Sequence, residues 1–332
     1  MSNIVLRTVF LSAILLSSVF PALAWDETGH KITAYIAWQQ MTPEVRDKVI
    51  KILRNAPEDS QIGAFNIEYG SRPRESRERD FFVIIATWSD MIKDKKLRAR
   101  FDKYAKDQSD WHYINQFWTW KDGKAQMVEG MAPVGQIIKK LGEFTQLLRS
   151  SANDSEKAIA IAWLEHLVGD IHQPLHVSAR VTEYDPKGDR GGNAFFLTPK
   201  GTKRADQDNL HSFWDGAIDR YLPNKDMCEG AYYEPIAESI MKLHPYGKMK
   251  ERLNPEKFNI WEQESLNIAT TEAYKDVKFG EKPSDKYTKK AFEIAQERLA
   301  LGGYRLGSLL NDIFGPQTAS PNAASTPAKQ QN

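Results

Sequence analysis

Two His-x-x-x-Asp pairs constrain this chain more than any other feature of its sequence. They are His166 with Asp170 and His211 with Asp215. On an α-helix, residues four positions apart share one face, with about 5–6 Å between their Cβ atoms. Each pair could therefore direct an imidazole and a carboxylate toward one metal ion, and these groups are the usual non-sulfur ligands of Zn²⁺. A fold that uses both pairs must bring two helical segments together.

A single pair of this kind is ordinary on a helix, so the alternative interpretation is a His–Asp contact without metal. Two pairs in one chain weaken that alternative. His176 adds a further imidazole just beyond Pro174, which should end the first helix. His172 lies only two positions after Asp170, and a continuing helix would direct it away from the site. We therefore interpret His172 as structural, or as a residue that supports a metal ligand without binding the metal itself.

The first 24 residues have the three parts of a secretory signal peptide. Arg7 gives the positive start, residues 9–20 form a short apolar run, and Ala22 and Ala24 complete an A-x-A cleavage site. The alternative is a first membrane-spanning or buried helix, for which the apolar run is short. We predict export to a periplasm or to the medium, with no membrane attachment after cleavage.

Cleavage after Ala24 would free the α-amino group of Trp25. Such an amine has a pKa of about 8, so its neutral form is accessible and can coordinate a metal. His30 follows closely, and Gly29 would let the chain fold back toward its own start. Taken alone, this segment could equally be a cleavage site that precedes a core tryptophan.

Composition limits the classes of protein further. The 332 residues are 41% hydrophobic, which is enough for a folded core. The single cysteine, Cys228, excludes an internal disulfide and cysteine-rich zinc or iron–sulfur sites. The formal charge is only +1, so we expect no basic surface that grips nucleic acid. A phosphate-bearing partner would have to be attracted by a charge that this count omits, such as bound metal.

The spacing of apolar residues predicts an all-α fold in a single domain of residues 25–314. The predicted helices cover residues 31–54, 133–148, 156–170, 208–221, 255–274 and 286–311. Pro133 is expected at the first position of its helix, and residues 153–155 are expected to cap the next one. The best strand signal is 193–198, and the tail, residues 315–332, is expected to be disordered.

These features together resemble the S1/P1 nuclease family of zinc-dependent, secreted nucleases that act on single-stranded nucleic acid. The likeness runs from Trp25 to about Phe314, and the family fold is a single, mainly helical domain. The motifs, in the family's order, are WxxxGH at 25–30, WSD at 88–90, WHY at 111–113, HxxxD with QPLH at 166–176, GGN at 191–193 and NLHxxWD at 209–215. Any one motif is weak, whereas the ordered set is specific. The lack of disulfides, which eukaryotic members carry, favours a bacterial member.

The resemblance implies three zinc ions per chain. The residues that would hold them are, ion by ion, Asp90, His112, His166 and Asp170; the Trp25 amine and carbonyl, His30 and again Asp170; and His176, His211 and Asp215. Asp170 would bridge the first two ions. Three divalent cations against three liganding carboxylates would leave a positive site in a nearly neutral protein.

The resemblance also implies a reaction. Endonuclease cleavage of single-stranded DNA and RNA would leave 5′-phosphates, and 3′-nucleotides are expected as further substrates. Asp90 would orient the attacking water, Asn193 would donate hydrogen bonds in the transition state, and Tyr113 would stack a base. Lys93 stands where members often have arginine, and Asn115 where they use an acidic residue to recognise the base. Charge stabilisation and base preference are therefore expected to differ from the family.

Two other functions are compatible with the motifs. Bacterial zinc phospholipase C resembles this family in its fold, its amino-terminal tryptophan ligand and its three metals. That group tends to have glutamate where this chain has Asp215. The other alternative is a zinc-stabilised binding protein without activity, which would need closed metal sites. We favour the nuclease and expect it to be a monomer.

Overall fold

The computed structural model describes residues 25–93, 101, 103–104 and 108–316. Within these residues the chain is mainly α-helical, which confirms the predicted fold class, and it also contains one small sheet. The predicted signal peptide, residues 1–24, lies outside the described residues, as does the predicted tail beyond residue 316. Among the described helices, none combines the length and the hydropathy needed to cross a membrane.

The described residues form twelve α-helices and four strands. The helices are α1 (Glu27–Gln40), α2 (Pro43–Arg54), α3 (Arg74–Ile85), α4 (Trp88–Met91), α5 (Ile137–Arg149), α6 (Asp154–His172), α7 (Leu210–Asp215), α8 (Ala217–Tyr221), α9 (Glu229–Leu243), α10 (Tyr246–Met249), α11 (Phe258–Ile268) and α12 (Asp285–Phe314). The strands are β1 (Ile114–Lys121), β2 (Lys124–Met127), β3 (Val134–Gly135) and β4 (Ser178–Arg180).

Helix α6 lies at the centre of the core. Asn153 caps it by accepting a hydrogen bond from the Glu156 backbone N–H, and the Glu156 side chain accepts one from the Asn153 N–H. Every residue from Ala160 to His172 is buried, because α1, α2, α5 and α12 pack around the helix. A helix buried on all sides must partner its polar side chains within the protein. The polar atoms of His166 and Asp170 therefore need partners inside the protein rather than bulk water.

Several predicted helices are interrupted at a turn. The predicted helix 31–54 is wrong as a single element, because α1 ends at Gln40 and Thr42 caps α2, with Pro43 at the first helical position. The helix predicted to start at Pro133 starts at Ile137, since residues 134–135 pair with β1. The predicted helix 208–221 is divided at Gly216 into α7 and α8. The predicted helix 255–274 is α11 followed by a π-helical turn over residues 269–273.

The strand prediction at 193–198 is wrong, and the real sheet was not predicted. Residues 193–198 form turns with a single bridge from Phe196 to Asn209. The sheet centres on β1, which pairs antiparallel with β2 and β3 and parallel with β4. His112 comes just before β1 and His176 just before β4. The β1–β4 pairing therefore holds these two histidines near each other.

Candidate metal centre

Residues from four parts of the chain meet around Asp170. His166 lies on the same face of α6, as the spacing predicts, with 3.3 Å between its Nε2 and Asp170 Oδ2. His112 places Nδ1 2.9 Å from the same carboxylate oxygen and 3.0 Å from His166 Nε2. His30 of α1 approaches the other oxygen, with 3.4 Å between its Nε2 and Asp170 Oδ1. Asp90 of α4 lies 3.6 Å from His166 Nε2.

These side chains form two overlapping groups of potential metal ligands. The first group is Asp90, His112 and His166, and the second is His30, His166 and Asp170. Within each group one ligand atom per residue lies within 4.8 Å of the others. Asp170 presents one oxygen to His30 and the other to His112. This is the arrangement that a carboxylate bridging two cations requires.

A third group contains the second predicted pair and His176. His211 Nε2 lies 3.6 Å from Asp215 Oδ2, and His176 Nε2 lies 3.9 Å from Asp215 Oδ1. The two imidazoles stack with their centroids 4.9 Å apart, and all three side chains are buried. His176 Nδ1 also donates to the backbone carbonyl of His112 at 2.8 Å, which connects this group to the first.

Backbone carbonyls orient three of the imidazoles. In each ring Nδ1 donates to a backbone carbonyl oxygen at 2.7–2.8 Å. The pairs are His166 with Ala86, His176 with His112 and His211 with Gly191. Because a carbonyl can only accept, Nδ1 carries the proton in each ring and the Nε2 lone pair faces the carboxylates. Metal-binding histidines are typically held in this way. Gly191 is required at its position, because its φ is +62° and a Cβ would lie 2.3 Å from a carbonyl oxygen.

The polar atoms of this centre fit divalent cations. Both ring nitrogens of His30, Nε2 of His112 and Oδ1 of Asp170 are buried without a hydrogen-bond partner among the described residues. Buried polar groups normally have such partners. Burial lowers the pKa of His166 to about 4 and also lowers the pKa values of His30 and His112, so these imidazoles are in the neutral, metal-binding form. Burial raises the pKa of Asp170, so its ionised form needs a cation nearby.

The segment that begins at Trp25 is buried beside these groups. The Trp25 side chain is fully buried, and the Asp26 N–H donates to the backbone carbonyl of Asp215 at 3.1 Å. Gly169 of α6 is so close that a Cβ there would lie 2.7 Å from His30 Nδ1 and 3.8 Å from the Trp25 indole. The predicted new amino terminus is thus held between α6 and α7, next to His30.

Lys93 contacts the first group directly. Its Nζ lies 2.5 Å from Asp90 Oδ1. Burial by itself would raise the pKa of Asp90, but its electrostatic interactions, first with the charge of Lys93 and then with His166, outweigh burial and lower it. Asp90 is therefore ionised at neutral pH, and Lys93 adds a positive charge beside the group. A catalytic role for either residue stays a prediction.

The other predicted site residues lie close in sequence to residues of the centre. Tyr113 follows His112 directly, is half-buried, and lies against Gly135, where a Cβ would be 2.9 Å from the Tyr113 ring. Asn115, also half-buried, pairs through its backbone with Val134. Asn193 lies two residues after Gly191, and its Nδ2 donates to the backbone carbonyl of Arg190 at 2.9 Å. Their roles in substrate binding stay predictions.

Two contacts near the centre add to the sequence analysis. Gln173 Nε2 donates to Asp215 Oδ1 at 2.6 Å and so orients that carboxylate, a role the motif gave no means to assign. Helix α6 continues to His172, whose ring points away from the metal ligands, as predicted. His172 Nδ1 donates to the Val168 carbonyl, and its Nε2 accepts from Arg305.

Comparison with known proteins finds nucleases and the nuclease family to which the motifs pointed. Residues 25–315 match the S1/P1 Nuclease family. Endonuclease 4 of Arabidopsis thaliana is 30% identical over 186 residues, which cover 52% of this chain and 58% of that protein. Endonuclease 2 of the same plant is 27% identical over 310 residues, which cover 88% of this chain and 91% of that protein. Nuclease P1 of Penicillium citrinum is 24% identical over 319 residues, which cover 89% of this chain and 100% of that protein. The chain thus spans little more than half of Endonuclease 4 and most or all of the other two.

Proposed function

The chain belongs to the S1/P1 nuclease family, and we propose on that premise that it is an exported, zinc-dependent endonuclease acting on single-stranded DNA and RNA. Its products end in 5′-phosphates, and 3′-nucleotides are further substrates. The active form is the domain of residues 25–314 after residues 1–24 have been removed, and it is a monomer. The observation that carries this proposal is the meeting of three buried His/Asp groups, two of which overlap.

The composition of the groups supports zinc as the cation. Five imidazoles and three carboxylates lie in them, as His30, His112, His166, His176, His211, Asp90, Asp170 and Asp215. Imidazole nitrogen suits zinc, whereas Mg²⁺ and Ca²⁺ prefer oxygen ligands. The amine and carbonyl of a free Trp25 would complete the second group. Bound zinc would supply water of near-neutral pKa and positive charge for the phosphodiester.

The side chains of this protein then orient the attacking water and position the substrate. Asp90, kept ionised beside Lys93, accepts a hydrogen bond from the attacking water and orients it. The ammonium of Lys93 offsets negative charge on the phosphate. Asn193 donates to the phosphate oxygens from the turn that also anchors His211. Tyr113 stacks a base, which must first leave its neighbours, and this costs least in a single strand.

An assay with two substrates tests the proposal. The mature protein is incubated in one buffer with single-stranded DNA and, separately, with phosphatidylcholine, each with and without EDTA. We expect DNA cleavage that EDTA abolishes and intact phosphatidylcholine. Hydrolysis of the lipid with intact DNA would instead support the phospholipase. Bound zinc without hydrolysis of DNA, RNA or 3′-nucleotides would support the binding protein.

Replacing Tyr113 by alanine is expected to weaken substrate binding without loss of metal. Base–aromatic stacking contributes about 1–3 kcal/mol per base, so KM for single-stranded DNA should rise about 5- to 150-fold. The matched control is Tyr113→Phe, which keeps the ring and should stay close to wild type. Steady-state kinetics with zinc analysis checks this expectation. Unchanged kinetics in Tyr113→Ala would place base stacking elsewhere.

A further inference from the structure

A group of aromatic rings, which we call the aromatic ridge, extends from beside the metal centre to the surface. Its members are Phe195, Phe196, Tyr274 and Phe279. The Phe279 ring lies 5.7 Å from the Phe195 ring and 6.2 Å from the Phe196 ring, and the Phe195 ring lies 5.8 Å from that of Tyr274. Tyr274 is buried and the two middle rings are half-buried, but Phe279 is 60% exposed. Phe279 is therefore the outer end of the ridge.

The ridge is joined to the metal centre through the backbone. The Phe195 carbonyl accepts from the N–H of Leu210, the residue before His211, at 2.9 Å. Gly191, whose carbonyl holds His211, is four residues before Phe195, a span of at most about 14 Å. Asn193, the proposed phosphate donor, lies between them. Phe279 is thus within reach of a nucleotide a few positions along the strand from the one at the metal centre.

Phe279 is also held in place. The N–H of Gly280 donates to the Phe196 carbonyl at 2.8 Å, and Val277 packs against the core. Behind the ridge, the Tyr274 hydroxyl donates to Asp189 at 2.6 Å. The backbone is thus fixed before and after Phe279. An exposed ring on such a backbone loses little conformational freedom when a ligand stacks on it.

Cations lie near these rings, together with acidic residues. Lys275 and Lys278 are exposed on the segment that carries Phe279, with Asp276 between them, and Lys278 pairs with Glu281 at 3.7 Å. The Arg180 guanidinium lies 5.4 Å from the centre of the Tyr274 ring, and its Nε is buried without a hydrogen-bond partner among the described residues. Aromatic platforms beside cations are the usual means of binding single strands without sequence preference.

From these observations we propose that Phe279 is a second base-stacking platform, which binds a nucleotide of the same strand a few positions away from the base at Tyr113. This inference rests on the proposed nuclease function and specifies its substrate as a strand several nucleotides long. The chain would therefore bind an oligonucleotide more tightly than a dinucleotide, and Phe279 would account for part of that difference.

Kinetics of Phe279→Ala on substrates of two lengths tests the inference. We expect KM for a single strand of about twelve nucleotides to rise about 5- to 30-fold, the lower part of the range for base stacking because the ring is partly exposed. KM for a dinucleotide and kcat for both substrates should stay within about twofold of wild type. Phe279→Trp, which restores a ring, should recover the KM of the longer strand.

Tyr69→Ala is the matched control, because Tyr69 is 86% exposed and lies far along the chain from the ridge. It should leave both KM values unchanged. Equal KM values for wild type and Phe279→Ala on the longer strand would overturn the inference. A change in the oligomeric state of Phe279→Ala would also overturn it, because the ring would then belong to a contact between copies of the chain. If wild type cleaves no single strand at all, the proposed function itself fails, and the two failures are thus distinguished.

Discussion

Asp170→Ala is expected to remove the two zinc ions of the overlapping groups and to abolish hydrolysis. Asp170 is buried between His30 and His112 and presents one oxygen to each. Without it the group of His30 and His166 loses its only carboxylate, and His112 and His166 of the other group lose the carboxylate oxygen that both approach. Because metal activation of water and charge stabilisation contribute several kcal/mol, we expect kcat/KM to fall at least about a thousandfold. Zinc analysis and cleavage of single-stranded DNA measure the two effects.

Two further variants separate loss of metal from loss of fold. Asp215→Ala should remove only the zinc of the third group, so its metal content should exceed that of Asp170→Ala. Asp170→Asn keeps the shape of the side chain but not its charge. Since burial raises the pKa of Asp170, the metal-free Asp170→Asn protein should unfold at no lower temperature than metal-free wild type. Three zinc ions per chain in folded Asp170→Ala would contradict the assignment.

A chain that retains residues before Trp25 is expected to be nearly inactive. In such a chain the Trp25 nitrogen is an amide, which cannot coordinate a metal as a free amine does. Trp25 is fully buried beside His30, and the Asp26 N–H donates to the carbonyl of Asp215. Residues that precede Trp25 would therefore have to pass through this packed region to reach solvent. We expect at least about a hundredfold loss of activity, from the loss of the second ion and of its share of the several kcal/mol that metal activation supplies.

The variant to measure carries substitutions of Ala22 and Ala24 that prevent cleavage. Its control carries an equal number of additional residues after Asn332, where no ligand is predicted. The control should bind three zinc ions and cleave normally. Full activity of the uncleaved chain, with its amino terminus verified by mass spectrometry, would exclude the Trp25 amine as a ligand.

The sequence predicted the core of the candidate centre because helix periodicity is a local property. His166 with Asp170 and His211 with Asp215 lie as the i, i+4 spacing requires, and α6 and α12 were predicted nearly in full. The proximity of His30, His112 and Asp90 to this pair was implied only by the family resemblance. No local pattern relates residues that are so distant in the chain.

What the sequence did not predict depends on tertiary contacts. The carbonyls of Ala86 and Gly191 orient His166 and His211. Because every residue has a backbone carbonyl, the sequence does not indicate which ones do this. Strand β1 was missed because its aromatic residues pack against β4 and the core, whereas isolated propensity is weak. The predicted strand at 193–198 failed for the complementary reason. Phe195 and Phe196 have strand propensity, but their partners are rings and a single bridge.

We propose that a buried centre of three cations makes a nearly neutral protein act on polyanions. The most direct measurement is elemental analysis of the mature protein, purified without chelators, together with cleavage of single-stranded DNA before and after EDTA. We expect three zinc ions per chain, loss of zinc and activity together in EDTA, and recovery of both when zinc is returned. A mature protein that holds no metal and still cleaves single-stranded DNA in EDTA would contradict it.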